Sequence, residues 1–288
     1  MGCGSSRESP SDVKIVGGSL VSDSSEDPAR VSTVALTNAE AFSNGKSFCT
    51  AVLIEPSILL TAAHCVFDED TKGATSEKII VVFSTKVGAS DAEIRDVAAI
   101  EVNPTYQYDL LRDGEDPEKK PMNDLAVIRL SEAAPSTYQP VQIVPENTKY
   151  SKDQELILAG YGVTETRTRN DTGTLREVAV DIVKDDTAGK VLIVKGPDLG
   201  VTAIVPPEND NAEPTTRPAD GGACAGDSGG PAYLHSRSRW FVAGITSYGE
   251  EFEVKGRPAG VTYCAGLEGY VDLRKHRSDI SALISKVK

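Results

Sequence analysis

The segment Gly221-Gly222-Ala223-Cys224-Ala225-Gly226-Asp227-Ser228-Gly229-Gly230-Pro231 decides how the rest of the chain is interpreted. Glycine has no Cβ, so glycines clustered around one serine indicate a turn with unusual dihedral angles or a close approach by another group. A serine on such a turn can present its hydroxyl outward, with backbone N–H groups directed at one point where negative charge develops. Composition alone would favour the alternative, an ordinary flexible loop.

Short runs of β-forming residues lie on both sides of this turn, and Gly, Pro, Asn or Asp clusters bound them. Helical spacing of apolar residues occurs only near the C-terminus, over Asp279 to Val287. Many short strands without alternating helices favour an all-β sandwich or barrel. The segments 109–121 and 206–222 are polar and are predicted to be surface loops. Examples of these predicted strands are 48–54, 79–83, 125–130, 155–159, 177–183, 191–194 and 240–248.

Composition limits the functional classes. The chain has 288 residues, which is enough for about two domains. It carries 30 Lys and Arg against 43 Asp and Glu, a net charge of −13, which disfavours binding to nucleic acid phosphates. No apolar run approaches the roughly 20 residues of a transmembrane helix. The five cysteines are odd in number, so at least one is not paired within the chain.

Three segments together resemble the chymotrypsin/trypsin family of serine peptidases. They are Thr61-Ala62-Ala63-His64-Cys65, Asn123-Asp124-Leu125-Ala126 and Gly226-Asp227-Ser228-Gly229-Gly230-Pro231, in that order along the chain. Further segments agree, including Ile15-Val16-Gly17-Gly18, which resembles the family's mature N-terminus. The resemblance implies two packed antiparallel six-stranded β-barrels with a C-terminal helix. We expect a leader at 1–14, the first barrel at 15–140 and the second barrel at 141–288.

The resemblance also implies catalytic roles. Ser228 would be the nucleophile, His64 its general base, and Asp124 the group that orients His64. The N–H groups of Gly226 and Ser228 would form the oxyanion hole. The implied function is endopeptidase hydrolysis through an acyl-enzyme. A rival interpretation is a catalytically silent homologue that binds proteins or acts in adhesion. An α/β-hydrolase is disfavoured because the chain order is His, Asp, Ser and strands do not alternate with helices.

The cysteines fit the same family. The resemblance implies the disulfides Cys49–Cys65 and Cys224–Cys264, which leaves Cys3 unpaired. Two disulfides indicate an oxidising compartment, so we expect a secreted or periplasmic protein. A zinc site is the alternative, but no two cysteines have zinc-ligand spacing. We therefore expect no metal and no cofactor.

The N-terminal segment suggests processing. Lys14-Ile15 resembles the family's activation site, and the resemblance implies that a freed Ile15 ammonium pairs with Asp227. The chain beginning at Met1 would then be a zymogen. Cys3-Gly4-Ser5-Ser6 resembles the start of a mature bacterial lipoprotein, so a lipid anchor at Cys3 competes with a plain leader. The expected partners are protein or peptide substrates, an activating protease and a protein inhibitor.

Substrate preference is left open by the sequence. Gly222, followed by Ala223, stands where trypsin-like members carry an aspartate, so the pocket is expected to be uncharged. Ser247, Tyr248 and Gly249 would line it. Glu268 would restore a basic preference if Tyr270 aligns with the family's tyrosine. If Gly269 takes the family's glycine position instead, Glu268 points elsewhere, and a single sequence does not settle a one-residue register. The insertion 250–263 lies beside this pocket.

Overall fold

The computed structural model describes residues 18–22, 24–75, 77–151, 154–163, 171–207, 213–256 and 262–288. The strands are numbered in chain order. Those of the N-terminal half are β1 Ser19–Leu20, β2 Thr33–Thr37, β3 Cys49–Glu55, β4 Ile58–Thr61, β5 Phe67–Asp68, β6 Gly73–Ala74, β7 Ile80–Phe83, β8 Glu93–Val102, β9 Ala126–Leu130 and β10 Gln142–Ile143. Those that follow are β11 Glu155–Gly160, β12 Arg176–Lys184, β13 Val191–Lys195, β14 Asp198–Val205, β15 Thr215–Asp220, β16 Pro231–Ser236, β17 Arg239–Val254 and β18 Thr262–Asp272. The helices are α1 Pro28–Ser32, α2 Ala39–Ser43 and α3 Arg277–Val287, with a 3₁₀ turn at Ala63–Cys65.

Two closed antiparallel barrels form the body of the protein. The first follows the order β2-β3-β4-β9-β8-β7 and closes between β7 and β2. The second follows β17-β16-β11-β12-β13-β18, and β18 pairs with β17 to close it. Closure leaves no free sheet edge in either barrel and surrounds a core of inward-facing Val, Leu and Ile side chains. The predicted all-β fold with two six-stranded barrels is confirmed.

Buried tyrosines join the two barrels. The Tyr233 hydroxyl, from β16, lies 2.7 Å from the Ser32 hydroxyl and 2.9 Å from the Thr33 hydroxyl. The Tyr161 hydroxyl donates to the Ser84 carbonyl oxygen at 2.6 Å. Buried polar groups are stabilising only when they are hydrogen-bonded, so these contacts favour one arrangement of the barrels. The cleft between the barrels is therefore a defined surface.

The C-terminal helix begins two residues earlier than the apolar spacing predicts. Helix α3 buries Ile280, Leu283 and Val287 and packs against β8 and β9 of the first barrel. Arg129 of β9 donates a hydrogen bond to the Val287 carbonyl oxygen at the end of the helix. The last segment of the chain thus returns to the first barrel.

One predicted loop is partly strand. Within 206–222, residues 215–220 form β15, which pairs with β14, and β14 pairs with the outer end of β17. The three strands enclose a small apolar cluster of Ala203, Ala219, Phe252 and Val254. Pro218 disfavours strand in the sequence, but β15 is an edge strand, where a missing N–H donor is tolerated. This extension continues the strand that borders the pocket described below.

Candidate active site

His64 and Asp124 meet because their strands are neighbours. His64 lies in the 3₁₀ turn that follows β4, and Asp124 lies just before β9; Thr61 of β4 is paired with Ala126 of β9. The His64 Nδ1 atom is 2.8 Å from Asp124 Oδ2, and the His64 backbone N–H donates to Asp124 Oδ1 at 2.9 Å. Asp124 therefore holds both the ring and the backbone of His64. The structure brings this predicted pair together.

Asp124 is buried, with 1% of its surface exposed, and has a third donor. The Ser247 hydroxyl, from β17 of the second barrel, donates to Asp124 Oδ2 at 2.7 Å. Burial alone would raise the pKa of Asp124, but His64 and these hydrogen bonds outweigh it and lower the pKa below its ordinary value. Asp124 is therefore ionised at neutral pH.

The charge on Asp124 also acts on His64. Burial lowers the pKa of the imidazole, yet the adjacent carboxylate more than offsets this, and the net pKa is raised above its ordinary value. An imidazole held this way keeps its proton on Nδ1 when neutral and leaves Nε2 as an acceptor. The geometry suits a general base whose protonated form is stabilised.

The loop carrying Ser228 packs directly on the first barrel. Thr50 N–H donates to the Ser228 carbonyl oxygen at 2.8 Å, and the Cys65 sulfur lies 3.5 Å from the same oxygen. Gly229 has φ +80°, and a Cβ there would lie 2.1 Å from the Thr61 hydroxyl. Only glycine fits such a position, which explains part of the glycine-rich turn. Ser228 is thereby placed beside the segment that contains His64.

Gly226 forms the other end of this turn. Its φ is +97°, and a Cβ would lie 3.0 Å from the Cα of Gly162. Thr50 Oγ1 donates to the Gly226 carbonyl oxygen at 2.9 Å, so the peptide planes of the turn are fixed. That the N–H groups of Gly226 and Ser228 bind an oxyanion remains a prediction.

Asp227 is a buried carboxyl whose described partners are backbone donors. Gly162 N–H and Cys224 N–H donate to its two oxygens at 2.7 and 2.9 Å. Burial raises the pKa of Asp227 to about 7, although these donors and the charge of Arg176 act in the opposite direction. No cation of the described part of the chain lies within ion-pair distance of it. Ile15, its predicted partner, lies outside the described residues.

A cavity of about 160 Å³ opens beside Ser228. The predicted residues Ala223, Ser247, Tyr248 and Gly249 line it. Two carboxylates, Glu250 and Glu251, also line it, and they begin the insertion that was predicted to lie beside this pocket. The lining residues are Ala223, Cys224, Ala225, Ser228, Thr246, Ser247, Tyr248, Gly249, Glu250, Glu251 and Cys264.

Glu268 and Gly222 were also predicted to line the pocket, but neither is among the residues that line this cavity; Glu268 is buried next to its wall. In the β17–β18 ladder, Thr246 pairs with Tyr270 and Gly249 pairs with Glu268. A Cβ on Gly222 would lie 1.9 Å from Glu268 Oε1, and a Cβ on Gly249 would lie 3.5 Å from Glu268 Cγ. The side chain therefore reaches from Gly249 of β17 to the backbone of Gly222. Its carboxyl fills the space that a side chain at position 222 would occupy.

The Glu268 carboxyl is buried and hydrogen-bonded. The Tyr270 hydroxyl donates to Oε2 at 2.9 Å, and the Ala223 N–H also donates to the carboxyl. Burial nevertheless raises the pKa of Glu268 well above its ordinary value, because two donors do not replace full hydration. Burial therefore disfavours the charged form of this carboxyl.

Both predicted disulfides are present. Cys49 is bonded to Cys65 next to His64, and Cys224 is bonded to Cys264 at the cavity wall. The sulfurs of Cys49 and Cys65 also lie near the His64 ring nitrogens, but they are bonded to each other and cannot act as thiolate metal ligands. Cys3 lies outside the described residues.

The sequence assigned Ser247 to the substrate pocket and missed its hydrogen bond to Asp124. That bond depends on the packing of β17 against the first barrel, and no local pattern signals it. The sequence also missed the hydrogen bond from the Thr50 hydroxyl to the Gly226 carbonyl oxygen, because it too forms across the interface between the barrels.

Comparison of the sequence with known proteins identifies the family. The family model described as Trypsin matches residues 15–269, which is most of the chain. The chain belongs to the trypsin family. Relatives of this trypsin-family chain include mouse Vitamin K-dependent protein C, 29% identical over 225 residues, and a Trypsin of Saccharopolyspora erythraea, 28% identical over 230 residues.

The coverage of these relatives differs. The match to mouse protein C includes 72% of this chain and 42% of that protein, so the chain spans less than half the length of that relative. The match to the bacterial trypsin includes 78% of this chain and 84% of that protein. Among the described residues, no helix has the length and apolar character needed to cross a bilayer.

Proposed function

We propose that the protein is a serine endopeptidase that hydrolyses peptide bonds through an acyl-enzyme on Ser228. The observation that carries the proposal is the arrangement Ser247–Asp124–His64, in which a buried carboxylate receives three hydrogen bonds and orients the imidazole beside the Ser228 turn. A binding protein would gain nothing from burying this carboxylate, whereas a general base needs it.

The proposed reaction uses these groups in order. His64 Nε2 takes the proton of the Ser228 hydroxyl as its oxygen attacks the scissile carbonyl carbon. The negative charge that develops on the substrate oxygen is stabilised by the Gly226 and Ser228 N–H groups. His64 then gives its proton to the leaving amine, and water repeats the sequence to release the acyl group. Asp124 stays ionised throughout and stabilises the imidazolium.

We further propose that the pocket prefers Lys or Arg side chains, with Glu268 as counter-charge. The carboxyl accepts a hydrogen bond from the N–H of Ala223, which lines the cavity, and Glu250 and Glu251 place two more carboxylates along the lining. A buried carboxyl with a strongly raised pKa gains its charge most easily when a cation is brought next to it. A basic side chain would therefore bind with release of the Glu268 proton, and higher pH would favour it.

Glu268→Gln tests this preference. The amide keeps the shape and most hydrogen bonds, so the fold should be retained. We expect kcat/KM for substrates with Lys or Arg at the cleaved position to fall by about 10²-fold, because a buried partner charge is lost. Substrates with Phe or Leu there should be cleaved as well as before or better.

The measurement is cleavage-site profiling of the wild-type protein and Glu268→Gln on a peptide library. Glu132→Gln, which removes an exposed carboxylate, is the control. An unchanged Lys or Arg preference in Glu268→Gln would assign selectivity to other groups. A wild-type preference for apolar side chains would support the uncharged-pocket interpretation instead.

We also propose activation at Lys14-Ile15. Asp227 supports it, because a buried carboxyl without a described cation partner is a suitable receptor for an ammonium group. If the pocket takes lysine, one molecule could cleave another at Lys14, and a separate activating protease would not be required.

Activity should depend on the Ile15 ammonium. A protein beginning at Ile15 is expected to have a kcat/KM at least about 10²-fold higher than the Met1 form, since one oxyanion-hole donor alone is worth that much. The control is the Ile15 form with an acetylated N-terminus, which has the same residues without the charge and should stay weakly active. Equal rates for all three proteins would exclude this mechanism.

The two disulfides and the family fit an extracellular protein, and we propose secretion or periplasmic location on that basis. Protein or peptide substrates follow from the proposed activity. A protein inhibitor as partner and a lipid anchor at Cys3 are further proposals, based on the family resemblance and on the segment Cys3-Gly4-Ser5-Ser6.

A further inference from the structure

A second, larger cavity lies on the second barrel, where the β16–β17 hairpin faces the segment that follows β10. It measures about 730 Å³. Its lining combines apolar side chains with three cations. The lining residues are Val144, Pro145, Asn147, Thr148, Lys149, Leu234, Ser236, Arg237, Arg239 and Phe241.

The β16–β17 hairpin contributes both an apolar part and a cationic part to this cavity, at different positions along its strands. Leu234 pairs with Phe241 and Ser236 pairs with Arg239, and because side chains alternate along a strand, all four face the same side. Leu234 is buried and forms an apolar floor with Phe241. Ser236 and Arg239 stand at the rim, next to the turn.

The turn itself holds another arginine over the cavity. Arg237 and Ser238 have φ values of +50° and +61°, the left-handed conformation of a two-residue type I′ turn. Asn-Gly is the usual choice for such a turn, and Arg-Ser is an unfavourable one. Arg237 does not stabilise the turn in this conformation. Its presence there is better explained by a functional role of its positive charge.

The opposite wall is rigid. Arg277 donates to the Ile143 and Val144 carbonyl oxygens at 3.1 and 2.9 Å, and Arg274 donates to the Thr148 carbonyl oxygen at 2.9 Å. These guanidinium groups fix the backbone of the segment from behind. The cavity is therefore preformed, which reduces the entropy cost of binding.

The three cations at the rim are free to bind a ligand. Within the described part of the chain, Lys149, Arg237 and Arg239 have no carboxylate within 4.0 Å of their charged groups, whereas twelve other lysines and arginines do. Glu146 lies on the same segment but is exposed and does not line the cavity. A cationic rim without counter-charges attracts anions.

We propose that this cavity is an exosite for an acidic segment of a partner protein, with an apolar side chain placed between carboxylates. The apolar side chain would cover Leu234 and Phe241, and the carboxylates would pair with Arg237, Arg239 and Lys149. A sulfated glycan has no apolar group for the floor, and a membrane surface does not enter a concave site. Strand β16 runs from the Ser228 turn to this hairpin, a distance of about 17 Å, so the segment would bind away from the cleft.

The test uses the Ser228→Ala protein, which cannot cleave its ligand. The probe is a fluorescein-labelled peptide with the sequence Glu-Glu-Phe-Glu-Leu-Glu-Glu, measured by fluorescence anisotropy. We expect a Kd of about 100 μM or tighter that weakens at high salt. Removing the three charges in Lys149→Gln/Arg237→Asn/Arg239→Gln should weaken binding at least about tenfold, and asparagine suits the left-handed turn position.

Two controls make the test specific. The variant Lys78→Gln/Lys86→Gln/Lys288→Gln removes three exposed cations elsewhere and should bind the peptide like the parent protein. A peptide with glutamine in place of every glutamate should not bind. The proposal is wrong if the parent protein does not bind the acidic peptide, if both triple variants behave alike, or if a heparin oligosaccharide displaces the peptide and binds more tightly. None of these outcomes depends on whether the protein is a peptidase.

Discussion

Ser228→Ala is expected to lower kcat for peptide hydrolysis by about 10⁶-fold. The Ser228 hydroxyl is the atom that would form the covalent intermediate, and no neighbouring group can replace it. The turn that carries it is fixed by Thr50 and by the glycine at 229, so the loss of one oxygen should leave the surrounding structure intact. Steady-state kinetics with a peptide substrate measure the effect on the processed protein.

An organophosphonate probe separates an enzyme from a silent homologue. It should label the wild-type protein and leave Ser228→Ala unlabelled, while the control Ser281→Ala, on the exposed side of α3, is labelled normally. An active Ser228→Ala protein would exclude the acyl-enzyme mechanism. A wild-type protein that neither turns over peptides nor reacts with the probe would favour the silent binding or adhesion protein.

Some parts of the site could be predicted because they are local. The glycine-rich turn around Ser228 requires residues without Cβ, and that requirement is visible in the sequence. Seven of the twelve barrel strands likewise coincide with the named β-forming runs between turn residues, whereas β2, β4, β8, β16 and β18 lie outside those runs. The approach of His64 to Asp124 is different, since it depends on the pairing of β4 with β9, and only the resemblance to a known family predicted it.

Other parts depend on contacts between distant segments. Glu268 could face the pocket or turn away, because a shift of one residue in β18 exchanges the two faces of the strand. The pairing of Gly249 with Glu268 places Glu268 beside a residue that lines the cavity, and no pattern within residues 262–272 encodes that pairing. Strand β15 was mistaken for a loop for a similar reason, because its partner β14 and the shared apolar cluster lie elsewhere in the chain.

Asp124→Asn should show the next largest effect, a fall in kcat of about 10⁴-fold. An asparagine amide can donate to His64 Nδ1, which would place the imidazole proton on Nε2 and leave no acceptor for the Ser228 proton. Ser247→Ala removes one donor to Asp124 but keeps the carboxylate, so its effect should be much smaller. Asp113→Asn, an exposed change, serves as the neutral control.

The pH profile distinguishes this role from a merely structural one. The Asp124 carboxylate raises the pKa of His64, so neutral asparagine should lower that pKa. Because the general base works only when deprotonated, wild-type kcat/KM should fall as pH drops through the raised His64 pKa. In Asp124→Asn the same acid limb should move to lower pH while the plateau falls. A variant that loses rate with an unchanged acid limb would mean that Asp124 supports the fold and that another group controls His64.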